Sequence, residues 1–106
     1  LVEPVCANIP YGLGSLPDPD RIFMGGGLGQ SSEILDCALA RLKPGGKIII
    51  NTVLLESLQR ARAALEQLNL PLFILQTQNS LCTPIAGDLR FRAQNPVFIL
   101  CAQKPE

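Results

Sequence analysis

Apolar positions along this chain fall into blocks that switch between a strand-like run and a helical period. Arg21-Ile22-Phe23-Met24 reads as a buried strand, and Ser31 or Ser32 then caps a helix. Ile34, Leu35, Ala38, Leu39 and Leu42 recur at the helical spacing until Lys43-Pro44-Gly45-Gly46 stops them. Lys47 to Val53, K-I-I-I-N-T-V, is nearly continuous and β-branched, the pattern of a strand covered on both faces. Glu56 to Leu68 returns to the helical period. Leu58, Ala61, Leu65 and Leu68 point inward there, Arg60, Arg62, Glu66 and Gln67 point outward, and Asn69 suits a left-handed cap. Leu72 to Gln78 is a third strand that turns polar toward its end.

The remaining blocks are shorter. Leu1 to Ile9 is apolar, with Glu3 and Pro4 interrupting, and reads as a short strand. Pro10, Gly12, Gly14, Pro17 and Pro19 make a loop that no regular element tolerates. Ser80 to Gly87, containing Pro84, reads as a loop, and Leu89 to Gln94 alternates like an exposed strand. Asn95-Pro96 breaks it before a buried strand over Val97 to Ala102. The predicted order is β-β-α-β-α-β-β-β. Alternating strands and helices build parallel right-handed crossovers, and consecutive strands pair antiparallel. An α/β fold follows, with a mostly parallel sheet and antiparallel C-terminal strands.

Length and composition narrow the class. At 106 residues the chain supports a single domain over residues 1–106, burying about 60–65% of its unfolded surface. Nine basic side chains balance nine acidic ones, and one Tyr and four Phe offer little for base stacking, which argues against a nucleic-acid partner. No apolar run approaches the ~18–20 residues that span a bilayer, so no membrane partner is expected and the cytoplasm is the expected location. Cys6, Cys37, Cys82 and Cys101 are widely spaced and the chain has no His, which disfavours a Cys/His zinc site; buried free thiols are expected instead.

Candidate chemistry gathers at strand ends. Ile22 to Gln30, I-F-M-G-G-G-L-G-Q, runs an apolar strand into four glycines within five residues. In an open α/β sheet, ligands bind outside the carboxyl ends of the strands, and a turn without Cβ atoms lets backbone approach them. A tight strand-to-helix turn alone also explains glycine there. Asn51 and Thr52 end the next strand and face the same crevice, placed to hydrogen-bond a carboxylate or carbonyl; alternatively they bond only neighbouring backbone. Glu56 fits the first turn of a helix, where an acid suits the macrodipole. Arg90 and Arg92 share one face of an exposed strand, either as a clamp for carboxylates or as charged guards of a sheet edge. No Lys follows the glycines as a phosphate-binding loop requires, so a nucleotide-binding module is the weakest reading.

These residues carry a resemblance. The strand ending G-G-G-L-G, the helix I-L-D-C-A-L-A-R-L, the turn K-P-G-G-K at Lys43 to Lys47 and the strand I-I-I-N-T-V resemble class I S-adenosylmethionine-dependent methyltransferases. More specific are the glycine cluster after Met24, N-T-V-L-L-E at Asn51 to Glu56, and R-A-Q-N-P-V-F-I-L at Arg92 to Leu100. Together they are similar to the decarboxylating precorrin methyltransferases of the cobalamin pathway. The resemblance implies a partial Rossmann-like sheet, S-adenosylmethionine as cofactor, and a tetrapyrrole substrate that is methylated at carbon and loses an acetate carboxyl group.

It also implies roles. Gly25, Gly26, Gly27 and Leu28 border the cofactor, Asn8 falls near an acidic cofactor-side position of the family, and Gly29 and Gln30 border the substrate with Asn51, Thr52, Arg90 and Arg92. No acid stands out for the decarboxylation. The resemblance covers essentially the whole chain but only the second half of the family's domain, whose glycine-rich cofactor loop lies upstream of the counterpart of Leu1. Either this chain supplies the substrate side of a methyltransferase, or it is a shortened, non-catalytic oligomerisation module. A half-sheet leaves a strand edge and apolar faces open, which predicts a homo-oligomer in both cases.

Overall fold

The computed structural model describes residues 1–9, 11–25 and 32–106. A short 3₁₀ turn, Tyr11–Ser15, precedes β1 (Arg21–Gly25), α1 (Glu33–Arg41), β2 (Lys47–Thr52), α2 (Leu55–Gln67), β3 (Leu72–Thr77), β4 (Ser80–Ile85), β5 (Asp88–Ala93) and β6 (Val97–Gln103). Four strands form one sheet in the order β1-β2-β6-β3, and β4 with β5 forms a separate two-stranded ribbon. β1 and β2 are parallel, while β6 runs antiparallel to both β2 and β3. The α/β fold with antiparallel C-terminal strands is as expected; the sheet, expected to be mostly parallel, has one parallel and two antiparallel pairings because β6 inserts between β2 and β3.

Both helices pack on one face of this sheet. Leu35, Leu39 and Leu42 from the first, and Ala61 and Leu65 from the second, meet Ile48, Ile50, Leu100 and Ala102 from the strands. Local chemistry sets the helix ends. Glu33 and Asp36 occupy the first turn of α1 and Arg41 its last, each favourable for the helix dipole. Lys104 Nζ donates to the carbonyls of Leu39 (3.0 Å) and Leu42 (2.9 Å), satisfying groups that the helix leaves open. The chain then turns through Gly45 at φ +78°, and a Cβ on Gly46 would stand 2.6 Å from Leu42 Cδ1, so only glycine fits that packing. Asn69, at φ 54°, takes the left-handed position expected after α2.

Several expectations give way. Leu1 to Ile9 forms no strand; it is exposed irregular chain. β1 is not buried, because it is the edge of the sheet and Phe23 faces away from the helices. β2 is covered on one face only, which leaves Ile49 exposed. β6 lies inside the sheet between β2 and β3, a pairing that chain order does not specify.

Ser80 to Ile85, expected as a loop, is a strand. It pairs with β5 through a two-residue turn at Ala86 (φ 49°) and Gly87 (φ 79°), the backbone signs of a type I′ hairpin. Pro84 is tolerated because a two-stranded ribbon has a free edge where no N–H is needed. The cysteines are free as expected but not buried: Cys6 and Cys82 are exposed, Cys37 and Cys101 half-buried. Among the described residues no helix is long and apolar enough to cross a membrane. The radius of gyration is 16.8 Å against about 13 Å for a compact chain of this length, because the ribbon packs chiefly on itself and projects.

Candidate functional site

β1 and β2 end side by side, Gly25 directly opposite Asn51. Beside them opens a cleft of about 390 Å³ lined by Gly25, Asn51, Thr52, Val53, Leu54, Ser57 and Val97. It lies at the carboxyl ends of two parallel strands, where open α/β sheets bind ligands. Val97 reaches it because β6 runs antiparallel and begins where β2 ends.

The polar groups differ in what they have left to give. Thr52 Oγ1 is engaged locally: it accepts from Leu54 N at 3.2 Å and donates to Leu54 O at 3.4 Å, fixing the turn into α2. Asn51 Oδ1 is buried and has no hydrogen-bond partner among the described residues. A buried carbonyl without a donor is costly, so this atom is an acceptor ready for a ligand donor. Ser57 is also buried and lines the same cleft from the first turns of α2. It was not singled out from sequence; the available signal was a polar residue in line with the inward Ala61 and Ala64 at helical spacing. Val53 and Leu54 line the cleft and stand exposed, making an apolar rim that the exposed Leu55 follows in sequence.

Of the residues expected in the site, Gly25, Asn51 and Thr52 come together here. Gly26, Gly27, Leu28, Gly29 and Gln30 lie outside the described residues. Asn8 is exposed in the irregular N-terminal segment, its carbonyl accepting from Gly12 N, and it does not line the cleft. Arg90 and Arg92 are exposed on the ribbon, away from the cleft lining, and share a face with Leu81 and Thr83. Glu56 sits in the first turn of α2 and faces Arg60 at 3.7 Å, in keeping with a dipole role.

The cleft combines bare backbone with one open polar acceptor. Gly25 offers bare backbone and Asn51 an open acceptor, both useful against a reactant. No carboxylate stands among the described residues that line the cleft.

Comparison with known proteins places the chain in a family. A model of the precorrin methyltransferase domain matches residues 2–104. The chain belongs to that family. It is 34% identical over 107 residues to the cobalt-precorrin-6B C(15)-methyltransferase (decarboxylating) of Salmonella typhimurium, covering 95% of this chain and 56% of that protein. Among solved structures, precorrin-6y C5,15-methyltransferase from Geobacter metallireducens superposes with a TM-score of 0.82 at 37% identity, over 92% of this chain and 52% of that one. Precorrin 8w decarboxylase from Methanobacterium thermoautotrophicum gives 0.79 at 29% identity, over 90% and 51%. The chain thus spans about half the length of the relatives it matches, corresponding to their C-terminal half. A SAM-dependent O-methyltransferase from Thermotoga maritima, 18% identical with a TM-score of 0.63, shares the fold.

Proposed function

We propose that this chain, residues 1–106, is the C-terminal portion of a class I methyltransferase domain. In this reading it forms the substrate side of a site for S-adenosylmethionine-dependent C-methylation, with decarboxylation, of a precorrin or cobalt-precorrin in cobalamin biosynthesis. The observation that carries the reading is the cleft at Gly25 and Asn51, with a buried acceptor lacking a partner, in a chain of the precorrin methyltransferase family. S-adenosylmethionine, when bound, supplies an electrophilic methyl group on a sulfonium sulfur. Methyl transfer is an in-line displacement, so the chain's task is to bring the acceptor carbon up against the donor and hold it there.

Each group has a part in that task. Gly25 lets a flat macrocycle approach the main chain. Asn51 Oδ1 accepts from a substrate N–H or protonated carboxyl, and Val53, Leu54 and Leu55 pack against the apolar ring face. Arg90 and Arg92 offer cations to carboxylates at the periphery of the ring. Gly26 to Leu28 and Asn8 belong to the cofactor side, and Gly29, Gln30 and Thr52 to the substrate side. The setting proposed is the cytoplasm, where tetrapyrrole intermediates are soluble anions.

A second copy of the chain is part of the same reading. Cys82, Pro84, Leu89 and Phe91 share one face of the ribbon, and Leu89 and Phe91 are exposed, so this apolar surface has no cover within its own chain. That surface also favours the second reading, a non-catalytic assembly module. Titration with a polycarboxylated corrinoid, followed by absorbance, separates the two. Micromolar binding, weakened about 2–12-fold in Asn51→Ala by loss of one hydrogen bond, supports the enzymatic reading. Self-association with no corrinoid binding supports the module.

A further inference from the structure

We propose that the open amino end of α2, together with the Ser57 hydroxyl, is a subsite of the cleft that binds one side-chain carboxylate of the tetrapyrrole. This subsite rests on the reading of the cleft as the place of the substrate, and it is the part that holds a charged arm.

The start of α2 carries the wrong residues for a capped helix. N-cap positions favour Ser, Thr, Asp and Asn, whose oxygens accept from the N–H groups two and three residues on. Here Leu54 holds that position and no side chain caps the helix. Thr52 stands two residues too early, and its hydroxyl is engaged by Leu54 N and O. The first helical bond runs from Leu58 N to Leu54 O at 3.0 Å, so the N–H groups of Leu55, Glu56 and Ser57 are left without a helical acceptor. Glu56 does not answer them: its carboxylate is exposed and turned to Arg60 at 3.7 Å.

An uncapped helix end is not by itself a binding site; two side chains make it one. Ser57 is 6% exposed, lies in one buried row with Ala61 and Ala64, and lines the cleft. Alanine would fill that row equally well, and among the described residues no hydrogen bond engages the Ser57 hydroxyl. A hydroxyl held in an apolar row without a partner destabilises the chain, and a ligand oxygen that accepts from it removes that penalty. On the strand side of the same cleft stands Asn51, whose buried Oδ1 also lacks a partner.

The donor set selects the ligand. Three N–H groups and one O–H at the positive end of a 13-residue helix favour an anion. The lining holds no cation, and Val53, Leu54 and Val97 make it apolar, so one negative charge suits it better than a phosphate. Asn51 Oδ1 is left for a donor on the same ligand. A pyrrole with an acetate or propionate arm carries both, a carboxylate and a ring N–H. Arg90 and Arg92 lie outside the cleft lining, so this arm is held by neutral donors and not by those cations.

A pyrrole bearing one acetate arm, titrated into the isotope-labelled chain, tests the subsite apart from any corrinoid. Amide shifts at 55–57 are expected from the acid and none from its methyl ester. Ser57→Ala should weaken binding about tenfold, the loss of one bond to a charged group. Leu54→Asn supplies the missing cap, so it should raise the melting temperature yet abolish the shifts. Leu54→Ala trims the same rim without capping and should leave them. Damage to the fold would lower both readouts together, so a more stable variant that no longer binds marks an occupied subsite. Methionine, which carries the carboxylate of S-adenosylmethionine, should shift none of these amides. Equal shifts from acid and ester, unchanged binding in Leu54→Asn, shifts from methionine at 55–57, or no shifts from the acid at millimolar concentration each overturn the proposal. A polycarboxylated corrinoid that binds wild type and Leu54→Asn equally overturns the subsite and leaves the cleft its substrate. Shifts from the pyrrole acid with no corrinoid binding keep the carboxylate subsite and overturn the reading of the cleft.

Discussion

The two faces of one sheet teach different things about this chain. On the helix side, Ile50, Leu65 and Leu100 are wholly sealed from solvent. On the other side, residues of the same strands and the same apolar character stand open, Phe23, Ile49 and Phe73 among them. The strand sequence does not distinguish the faces; only the helices do. The sealed face holds the fold together, and the open one borders the cleft.

Substitutions sharpen that contrast. Leu65→Ala removes a fully enclosed side chain and should cost about 2–5 kcal/mol in urea denaturation, the usual toll of a core cavity. Lys104→Met removes both bonds that close the end of α1 and should cost about 1–3 kcal/mol in the same measurement. Phe73→Ala on the open face should change stability by no more than about 0.5 kcal/mol despite deleting a larger side chain. If Phe73→Ala is as damaging as Leu65→Ala, the open face is already covered in solution and the contrast fails.

Much of this was legible before any coordinates. The period of Ile34 to Leu42 placed the first helix, and the turn at Lys43 to Gly46 ended it, because both signals are local. Asn69 was legible for the same reason. The position of β6 between β2 and β3 was not, since pairing joins Lys47 to Gln103 and Thr52 to Phe98, far beyond the reach of any local pattern. β4 was hidden by Pro84, which breaks the strand signature but is harmless at the free edge of a ribbon. The exposure of β2 was misread because Ile49 carries the mark of burial without the cover.

The cleft divides in the same way. Gly25, Asn51 and Thr52 were found from strand ends, a position with a general physical reason to bind ligands. That Thr52 is engaged by Leu54 and Asn51 is not depends on side-chain geometry that no spacing reveals. Ser57 escaped notice because a lone serine on a helix carries no motif. Arg90 and Arg92 do share a face, but the ribbon that carries them is a body apart from the cleft lining.

The most direct measurement is amide chemical-shift mapping of the isotope-labelled chain during titration with a polycarboxylated corrinoid. The account predicts perturbations centred on Gly25, Asn51 to Leu55, Ser57 and Val97. Perturbations confined to the ribbon of β4 and β5, or none at millimolar ligand, would contradict it.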